Sequence, residues 1–299
     1  EAGFYFYFSR KIRELRESGH EGTARAYASS LRSMQRYLGK KDFPFIKLSS
    51  RIISDYQGKL LASGICDNTI GFYLHNIKAL FRKGCREMGL ELPCPFRDIS
   101  IKTEKTLKRS LDPVVIKTLS AIELEKDSPL SLARDIFMFS FYTRGMSFVD
   151  IALLKKRHVF PGEICYKRHK TDQLMRVGIN KEISRILERY KNVPGEYIFP
   201  LFPAERDPYA GYRNAYHRIR YSLGKISRVI GLEFPLRLHA ARHSWATIAK
   251  VNGASVHVIG ECLGHTSEKT TRIYLKELDH SALDAVNNQV ADFILAVDD

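Results

Sequence analysis

The chain has 299 residues, and 44% of them are hydrophobic, which is enough for two domains that each bury a core. Its 48 lysines and arginines exceed its 33 aspartates and glutamates, so the formal net charge is +15. That excess indicates a polyanionic partner such as nucleic acid. No stretch approaches the ~20 uninterrupted apolar residues of a membrane span, so the composition argues against a membrane protein.

Cysteine use and the first residues bear on the compartment. No C-x-x-C pair occurs and no histidine stands nearby at zinc-ligand spacing, so we expect reduced thiols and no metal site. The start, EAGFYFYFSRKIRELRESG, lacks the layout of a signal peptide. These features predict a cytoplasmic protein. The five cysteines are Cys66, Cys85, Cys94, Cys165 and Cys262.

The first third of the chain is the most basic part and is predicted to be all helical. Residues 1–110 hold 21 basic and 11 acidic side chains, which is +10 of the net charge. Apolar residues recur there every three or four positions, with basic residues on the other faces. We predict helices over Phe6–Ser18, over Ala24–Leu38 with Thr23 as its cap, over Ser50–Ser63, and from Asp67 or Asn68 through Met88.

A break in the helical pattern separates this module from the rest. Between Leu90 and Leu111, prolines and charged residues interrupt any period, which is typical of a linker. We place a helical domain at 1–100, a linker at 101–108 and a second domain at 109–299. The second domain is predicted to be mainly α with a small antiparallel β-sheet: helices near Pro113–Glu125 and Leu130–Tyr142, a hairpin of strands 163–167 and 175–179, and helices from Lys181 onward.

Two segments near the carboxyl end carry candidate functional residues. In LHAARHSWATIA, His239 and Arg242 are three positions apart, so a helix would place them on one face. In IGECLGHTSEKTTRIYL, a helix is predicted to end at Gly264, just before a histidine. Such a pair, or a lone tyrosine such as Tyr274, more often serves surface contacts or packing. The informative feature is therefore their order along the chain.

That order resembles a known family. H-x-x-R-H-S, then L-G-H, then Tyr274 nine residues after His265, is similar to the carboxyl-terminal motif of the tyrosine recombinases, also called the phage integrase family. Thr266 or Ser267 is predicted to cap the short helix that carries the tyrosine.

The family also has an arginine after an apolar helix and a lysine in a hairpin turn. Here FSFYTRGMSFVDIALL supplies Arg144, and YKRHKTDQLMRVGI supplies Lys170, with Lys167 as the alternative. Many members place an acidic residue three positions after this arginine, whereas Asp150 follows by six, and we assign it to structural support. The motif R-G-M-S-F-x-D resembles the corresponding motif in integrases of mobile elements in Bacteroides-type bacteria.

The resemblance implies a fold, a reaction and roles. It implies a core-binding domain and a catalytic domain that form a clamp on double-stranded DNA with specific recombination sites. Cleavage would give a 3′-phosphotyrosine, and exchange would pass through a Holliday junction in a homotetramer, aided by accessory DNA-bending proteins in the bacterial nucleoid. The implied roles are phosphate binding by Arg144, Arg242 and His265, general base for His239, general acid for Lys170 and nucleophile for Tyr274, with no metal, ATP or other cofactor.

Several alternatives stay open from the sequence. A type IB topoisomerase shares this chemistry, and a DNA-binding protein without activity could keep the fold. Integration, excision, inversion and dimer resolution are not distinguished, nor is the target site, because no helix discloses its register against DNA. The chain starts without Met, so we allow for a preceding arm-binding domain. The apolar stripe of the tail from Leu283 to Ile294 would suit docking on its own domain or on a neighbouring subunit.

Overall fold

The computed structural model describes residues 3–102, 104, 110–202, 208–265, 267–275 and 290. The chain divides into two compact units, Glu1–Thr106 and Leu107–Asp299, each with its own hydrophobic core. Thr266 and the tail beyond Leu275, apart from Val290, lie outside the described residues. Within the described part, no helix combines the length and apolar character needed to cross a membrane.

The first unit is a four-helix module built on the apolar stripes that the sequence predicts. Its core is rich in aromatic rings, with Phe4 packing edge-on against Phe45 at 5.0 Å between ring centroids. One predicted cap is wrong: Thr23 lies inside the second helix, which begins two residues earlier without a side-chain cap. The helices are α1 (Phe4–Glu17), α2 (Glu21–Leu38), α3 (Ser50–Ala62) and α4 (Asp67–Glu87).

The second unit is mainly helical with one small sheet, as predicted. The Asp112 carboxylate accepts the Val114 N–H at the start of its first helix, and Ser128 caps the next helix in the same way. The first helix ends at Ala121, four residues short of its predicted end. The elements are α5 (Pro113–Ala121), α6 (Pro129–Tyr142), α7 (Phe148–Ala152), β1 (Val159–Phe160), β2 (Glu163–Lys167), β3 (Leu174–Gly178), α8 (Lys181–Arg189), α9 (Pro208–Val229), α10 (Leu238–Val251), α11 (Val256–Leu263) and α12 (Glu268–Tyr274).

The sheet is a three-stranded antiparallel meander in the order β1, β2, β3. In the hairpin of β2 and β3, Tyr166 pairs with Met175 and both side chains are buried. Lys167, one residue later, therefore points to the opposite, exposed face. The hairpin turn spans residues 168–173 and was predicted from the polar run between the two strands.

An ionic cluster around one buried carboxylate joins α6 to the end of α8. Asp135 is 2% exposed, and its carboxylate accepts hydrogen bonds from Arg134 Nε and Arg189 Nη1, both at 2.6 Å, and from the Tyr190 hydroxyl at 2.9 Å. Burial and the adjacent Asp135 charge raise the pKa of the Tyr190 phenol. The cluster therefore depends on the negative charge of one carboxylate.

Replacing Asp135 with asparagine is expected to lower the free energy of unfolding by about 3 kcal/mol. The change leaves the largely buried Arg134 side chain without a counter-charge and also removes the carboxylate that pairs with the more exposed Arg189. Urea unfolding followed by circular dichroism measures the difference. As the control, Glu188→Gln removes an exposed carboxylate that pairs with Lys191, and it should change stability far less. Equal effects of the two substitutions would contradict the importance of this ionic cluster.

Candidate functional site

The first predicted arginine lies in a tight turn directly after α6. Arg144 and Gly145 both have left-handed backbones, with φ of 59° and 75°, and the Gly145 N–H donates to the Ser140 carbonyl at 2.7 Å. A positive φ is uncommon for arginine, so the surrounding packing must hold this turn. The Arg144 side chain is half-buried and reaches the Arg176 carbonyl of β3 at 3.5 Å.

The second predicted arginine, Arg242, is 4% exposed on α10 and packs against that turn. Its Nη1 donates to the Gly145 carbonyl at 2.7 Å, and its Nη2 donates to the Leu263 carbonyl at 2.5 Å. One guanidinium thus joins the turn after α6 to the end of α11, in agreement with the planar donor fork of arginine. Arg144 and Arg242 are almost a hundred residues apart in sequence but adjacent in the fold.

Gly145→Ala is expected to displace Arg242 and to reduce strongly the DNA cleavage that the sequence resemblance implies. A Cβ at position 145 would lie 2.8 Å from the Arg242 Cα and 2.6 Å from its Cγ, and backbone cannot move aside cheaply. The matched control is Gly162→Ala, which has a similar φ of 83° but meets nothing within 4 Å. We expect the control to lose only about 1 kcal/mol of stability from backbone strain and to keep its activity. Equal activity losses in both variants would contradict this packing argument.

His265 connects Arg242 to the helix that carries Tyr274. Its Nε2 lies 3.0 Å from Arg242 Nη2, and its Nδ1 lies 3.0 Å from the hydroxyl of the fully buried Thr271. Because a guanidinium only donates, Nε2 is the acceptor of this hydrogen bond. The ring proton is therefore on Nδ1, and Nδ1–H donates a hydrogen bond to the Thr271 hydroxyl. Thr271 sits tightly against α11, since a Cβ at Gly260 would approach its hydroxyl to 2.9 Å.

Burial, followed by the charges of Arg242, Arg168 and Lys170, lowers the pKa of His265 to about 4. The ring is therefore neutral at physiological pH. The positive charges of Arg242, Arg168 and Lys170 disfavour a further positive charge on the ring. The site is thus a concentrated positive field around one neutral imidazole.

The lowered pKa of His265 predicts an acid-sensitive fold. Between pH 6.5 and about 4, His265 binds a proton in the unfolded chain but stays neutral in the folded protein. The free energy of unfolding should therefore fall as the pH decreases through this window. His265→Gln should make that decrease shallower, whereas His257→Gln, at an exposed position on α11, should not. Urea titrations at several pH values measure the slopes, and unchanged slopes in the first variant would contradict the assignment.

The hairpin turn carries Lys170, which is exposed yet close enough to lower the pKa of His265. Lys167 is the last residue of β2, paired with Leu174 rather than placed in the turn. Asp150 is buried and supports the turn, because its carboxylate accepts the His169 N–H at 2.8 Å and the Ser147 hydroxyl at 2.6 Å.

His239 and Tyr274 lie near the ends of two helices of the second unit. His239 lies in the first turn of α10, is exposed, and meets the His243 ring at 5.1 Å between centroids. Tyr274 is the last residue of α12, three residues after Thr271, and its side chain lies outside the described residues. Ser267 stands at the cap position of α12 but makes no side-chain cap hydrogen bond.

Two groups at this site were not singled out from the sequence. Thr271 holds the His265 ring, and Arg168 is a buried arginine in the hairpin turn. The only sequence signal for Arg168 is its place two residues before Lys170. In the described part of the chain, no three His, Cys, Asp or Glu side chains cluster as metal ligands would.

Comparison with known proteins finds the same two-part organisation. The profile of the Phage integrase family matches residues 110–280, and that of the Phage integrase SAM-like domain matches residues 3–96. Tyrosine recombinase XerC of Shewanella oneidensis is 26% identical over 227 residues, covering 72% of this chain and 70% of the relative. Tyrosine recombinase XerD of Pseudomonas putida is 23% identical over 262 residues, covering 85% and 86%.

Solved structures share the fold across both units. An integrase of the Tn1549 transposon in complex with a circular intermediate DNA has a TM-score of 0.69 at 15% identity, covering 97% of this chain and 100% of the other. A lambda integrase dimer bound to a COC' core site has a TM-score of 0.68 at 17% identity, covering 92% and 95%. With the family profile spanning more than half of the sequence, the chain belongs to the phage integrase family of tyrosine recombinases, which cleave and rejoin DNA at specific sites.

Proposed function

We propose that Tyr274 attacks a DNA phosphate in a site assembled by Arg144, Arg242, His239, His265 and Lys170. Attack of a phenol on a phosphodiester passes through a five-coordinate phosphorus whose non-bridging oxygens gain negative charge. Preorganised cationic donors are usually the largest catalytic term for such a transition state. The observation that carries the proposal is the nearly buried Arg242 fork, joined to the Arg144 turn on one side and to His265 on the other.

The proton transfers are assigned by chemistry. The phenol has an ordinary pKa of about 10, so a base must take its proton during attack, and histidine titrates closest to the working pH. His239 takes the Tyr274 proton as the new O–P bond forms. Lys170 gives a proton to the 5′ oxygen as the old P–O bond breaks. The products are a 3′-phosphotyrosine and a free 5′-hydroxyl, and no metal or ATP enters this scheme.

His265 has two roles in the proposal. Its Nε2 accepts a hydrogen bond from Arg242 Nη2 in the arrangement described above. With DNA bound, Nε2 instead donates to a phosphate oxygen, and Arg242 Nη2 donates to the phosphate while Nη1 keeps its bond to the Gly145 carbonyl. The second role needs the other tautomer, with the proton on Nε2. Thr271 permits it, because a hydroxyl that accepts from Nδ1 in one tautomer can donate to Nδ1 in the other.

Rejoining requires a second DNA duplex. Because the phosphotyrosine conserves the energy of the phosphodiester, a 5′-hydroxyl from a partner duplex can attack it and expel Tyr274. Two such rounds through a Holliday junction exchange both strands in a homotetramer. A lambda integrase tetramer bound to a Holliday junction has a TM-score of 0.64 with this chain, which supports the assembly.

We assign the reaction to the integration or excision of a mobile element, or to DNA inversion. It would take place in the bacterial cytoplasm, at the nucleoid, together with accessory DNA-bending proteins. The Tn1549 transposon integrase among the structures of the same fold supports this context. The two domains are proposed to clamp DNA, with Lys170 preferred over Lys167 as the acid because it lies in the turn.

The decisive experiment is covalent capture on nicked DNA. A library of duplexes with a randomised central tract and a nick beside it loses the short 5′-hydroxyl fragment after cleavage, which traps the enzyme on DNA. We expect SDS-resistant adducts, enrichment of one target sequence, and a Tyr274 peptide bearing the nucleotide by mass spectrometry. Absence of any adduct would overturn the proposed activity. Equal capture of all sequences, with relaxation of plasmid DNA, would instead indicate a topoisomerase.

A further inference from the structure

Arg168 is a buried arginine in an otherwise exposed turn. Its neighbours His169, Lys170 and Thr171 are all exposed, whereas Arg168 is 9% exposed. Long basic side chains in turns normally extend their charged ends into water, because desolvating a guanidinium is costly. A specific contact must therefore hold this side chain inward.

That contact is with Gly264, which ends α11 and directly precedes His265, and we call this change of chain direction the His265 corner. Arg168 Nη1 donates a hydrogen bond to the carbonyl oxygen of Gly264, the left-handed residue that ends α11. The hairpin also packs closely on this corner: a Cβ at Gly264 would lie 2.9 Å from Met175 Sδ and 3.2 Å from Gln173 Oε1. The hairpin and the corner therefore fit against each other over several atoms.

The backbone of the same residue organises the turn that carries Lys170. The Arg168 carbonyl accepts the Asp172 N–H at 2.9 Å and the Thr171 N–H at 3.3 Å, and the Arg168 N–H donates to the Gln173 carbonyl at 2.9 Å. Lys170 thus lies in a loop closed on the peptide groups of Arg168. Because Lys170 lies only two residues after Arg168, a movement of Arg168 would also move Lys170.

We propose that Arg168 is a positioning residue that ties the Lys170 turn to the His265 corner and so sets Lys170 for proton delivery to the leaving 5′ oxygen. The inference rests on the proposed role of Lys170 as general acid. Arg168 itself donates to a backbone carbonyl and touches no reacting atom in this arrangement. As a consequence, the position of Lys170, and with it proton donation to the leaving oxygen, depends on Gly264, which precedes the helix α12 that carries Tyr274.

A sulfur-substituted substrate isolates this role. In a DNA strand with a bridging 5′-phosphorothiolate, attack by Tyr274 breaks a P–S bond and releases a thiolate. A thiol has a pKa of about 8.5, far below that of an alcohol, so the thiolate leaves without a proton from the enzyme. Variants that lack only the acid step should therefore regain their cleavage rate on this substrate, whereas variants with a disordered site should not.

The test measures single-turnover cleavage of matched oxygen and sulfur substrates by wild type, Lys170→Met and Arg168→Met. On the oxygen substrate we expect losses of about 100-fold for Lys170→Met and about 10-fold or more for Arg168→Met. On the sulfur substrate both should return close to the wild-type rate. Arg185→Met, at an exposed position on α8, is the matched control and should behave as wild type on both substrates.

The outcomes separate the inference from the proposed function. If Lys170→Met is restored by sulfur but Arg168→Met stays slow, the positioning role is wrong while Lys170 remains the acid. If Lys170→Met is not restored, the acid assignment fails and the inference fails with it. A wild-type rate for Arg168→Met on the oxygen substrate also overturns the inference. Should Arg168→Met fold poorly by thermal melting, Arg168→Gln, whose shorter side chain cannot reach the Gly264 carbonyl in the same way, provides the same comparison.

Discussion

Tyr274→Phe is expected to abolish covalent attachment to DNA while DNA binding is retained. Phenylalanine keeps the aromatic ring but lacks the oxygen that would bond to phosphorus. The change alters only the side chain, so the backbone hydrogen bonds of α12 are kept. The measurement is the yield of SDS-resistant adduct on nicked duplex together with a gel-shift titration of the same DNA.

The control is a tyrosine of the same domain that lies away from the motifs. Tyr221 is 67% exposed on α9, and Tyr221→Phe should form adduct at the wild-type level. If Tyr274→Phe still forms an adduct, another residue is the nucleophile. Loss of both adduct and DNA binding in Tyr274→Phe would instead indicate that the phenol supports the structure.

The fold was largely predictable because its signals are local and periodic. Apolar residues at helical spacing marked α2, α4 and α6, and alternation around a polar turn marked the hairpin. The failures lie where tertiary packing decides. Thr23 has a capping side chain, yet α2 begins earlier, at Glu21. The five-residue helix α7 (Phe148–Ala152) is too short to show a period, so no pattern predicted it.

The sequence predicts candidate site residues by their types and order, and the fold places Arg144, Arg242 and His265 close together, but the supporting contacts could not be predicted. His239, Arg242, His265 and Tyr274 stand out as a motif, whose residue roles remain proposals. The contacts of Arg168 and Thr271 come from three-dimensional neighbours, since Arg168 meets Gly264 across almost a hundred residues of sequence. The sequence does not show whether an arginine is buried or exposed, so only the fold distinguishes Arg168 from its exposed neighbours.

Arg242→Lys is expected to reduce cleavage by about 100-fold to 1,000-fold, the range observed when one preorganised donor to a transition-state oxygen is removed. The charge is kept, so the loss would come from geometry. Arg242 donates from Nη1 to the Gly145 carbonyl and from Nη2 to the Leu263 carbonyl, and a single ammonium cannot span both and also face a phosphate.

The comparison is single-turnover cleavage by Arg242→Lys and by Arg220→Lys, an exposed position on α9, at a temperature well below the melting transition of each. Unchanged DNA affinity with slow cleavage in the first variant alone would separate transition-state stabilisation from electrostatic attraction to DNA, which a lysine supplies equally well. Wild-type cleavage by Arg242→Lys would mean that charge suffices at this position. The two bonds of the fork, to the Gly145 and Leu263 carbonyls, would then contribute to stability and not to cleavage.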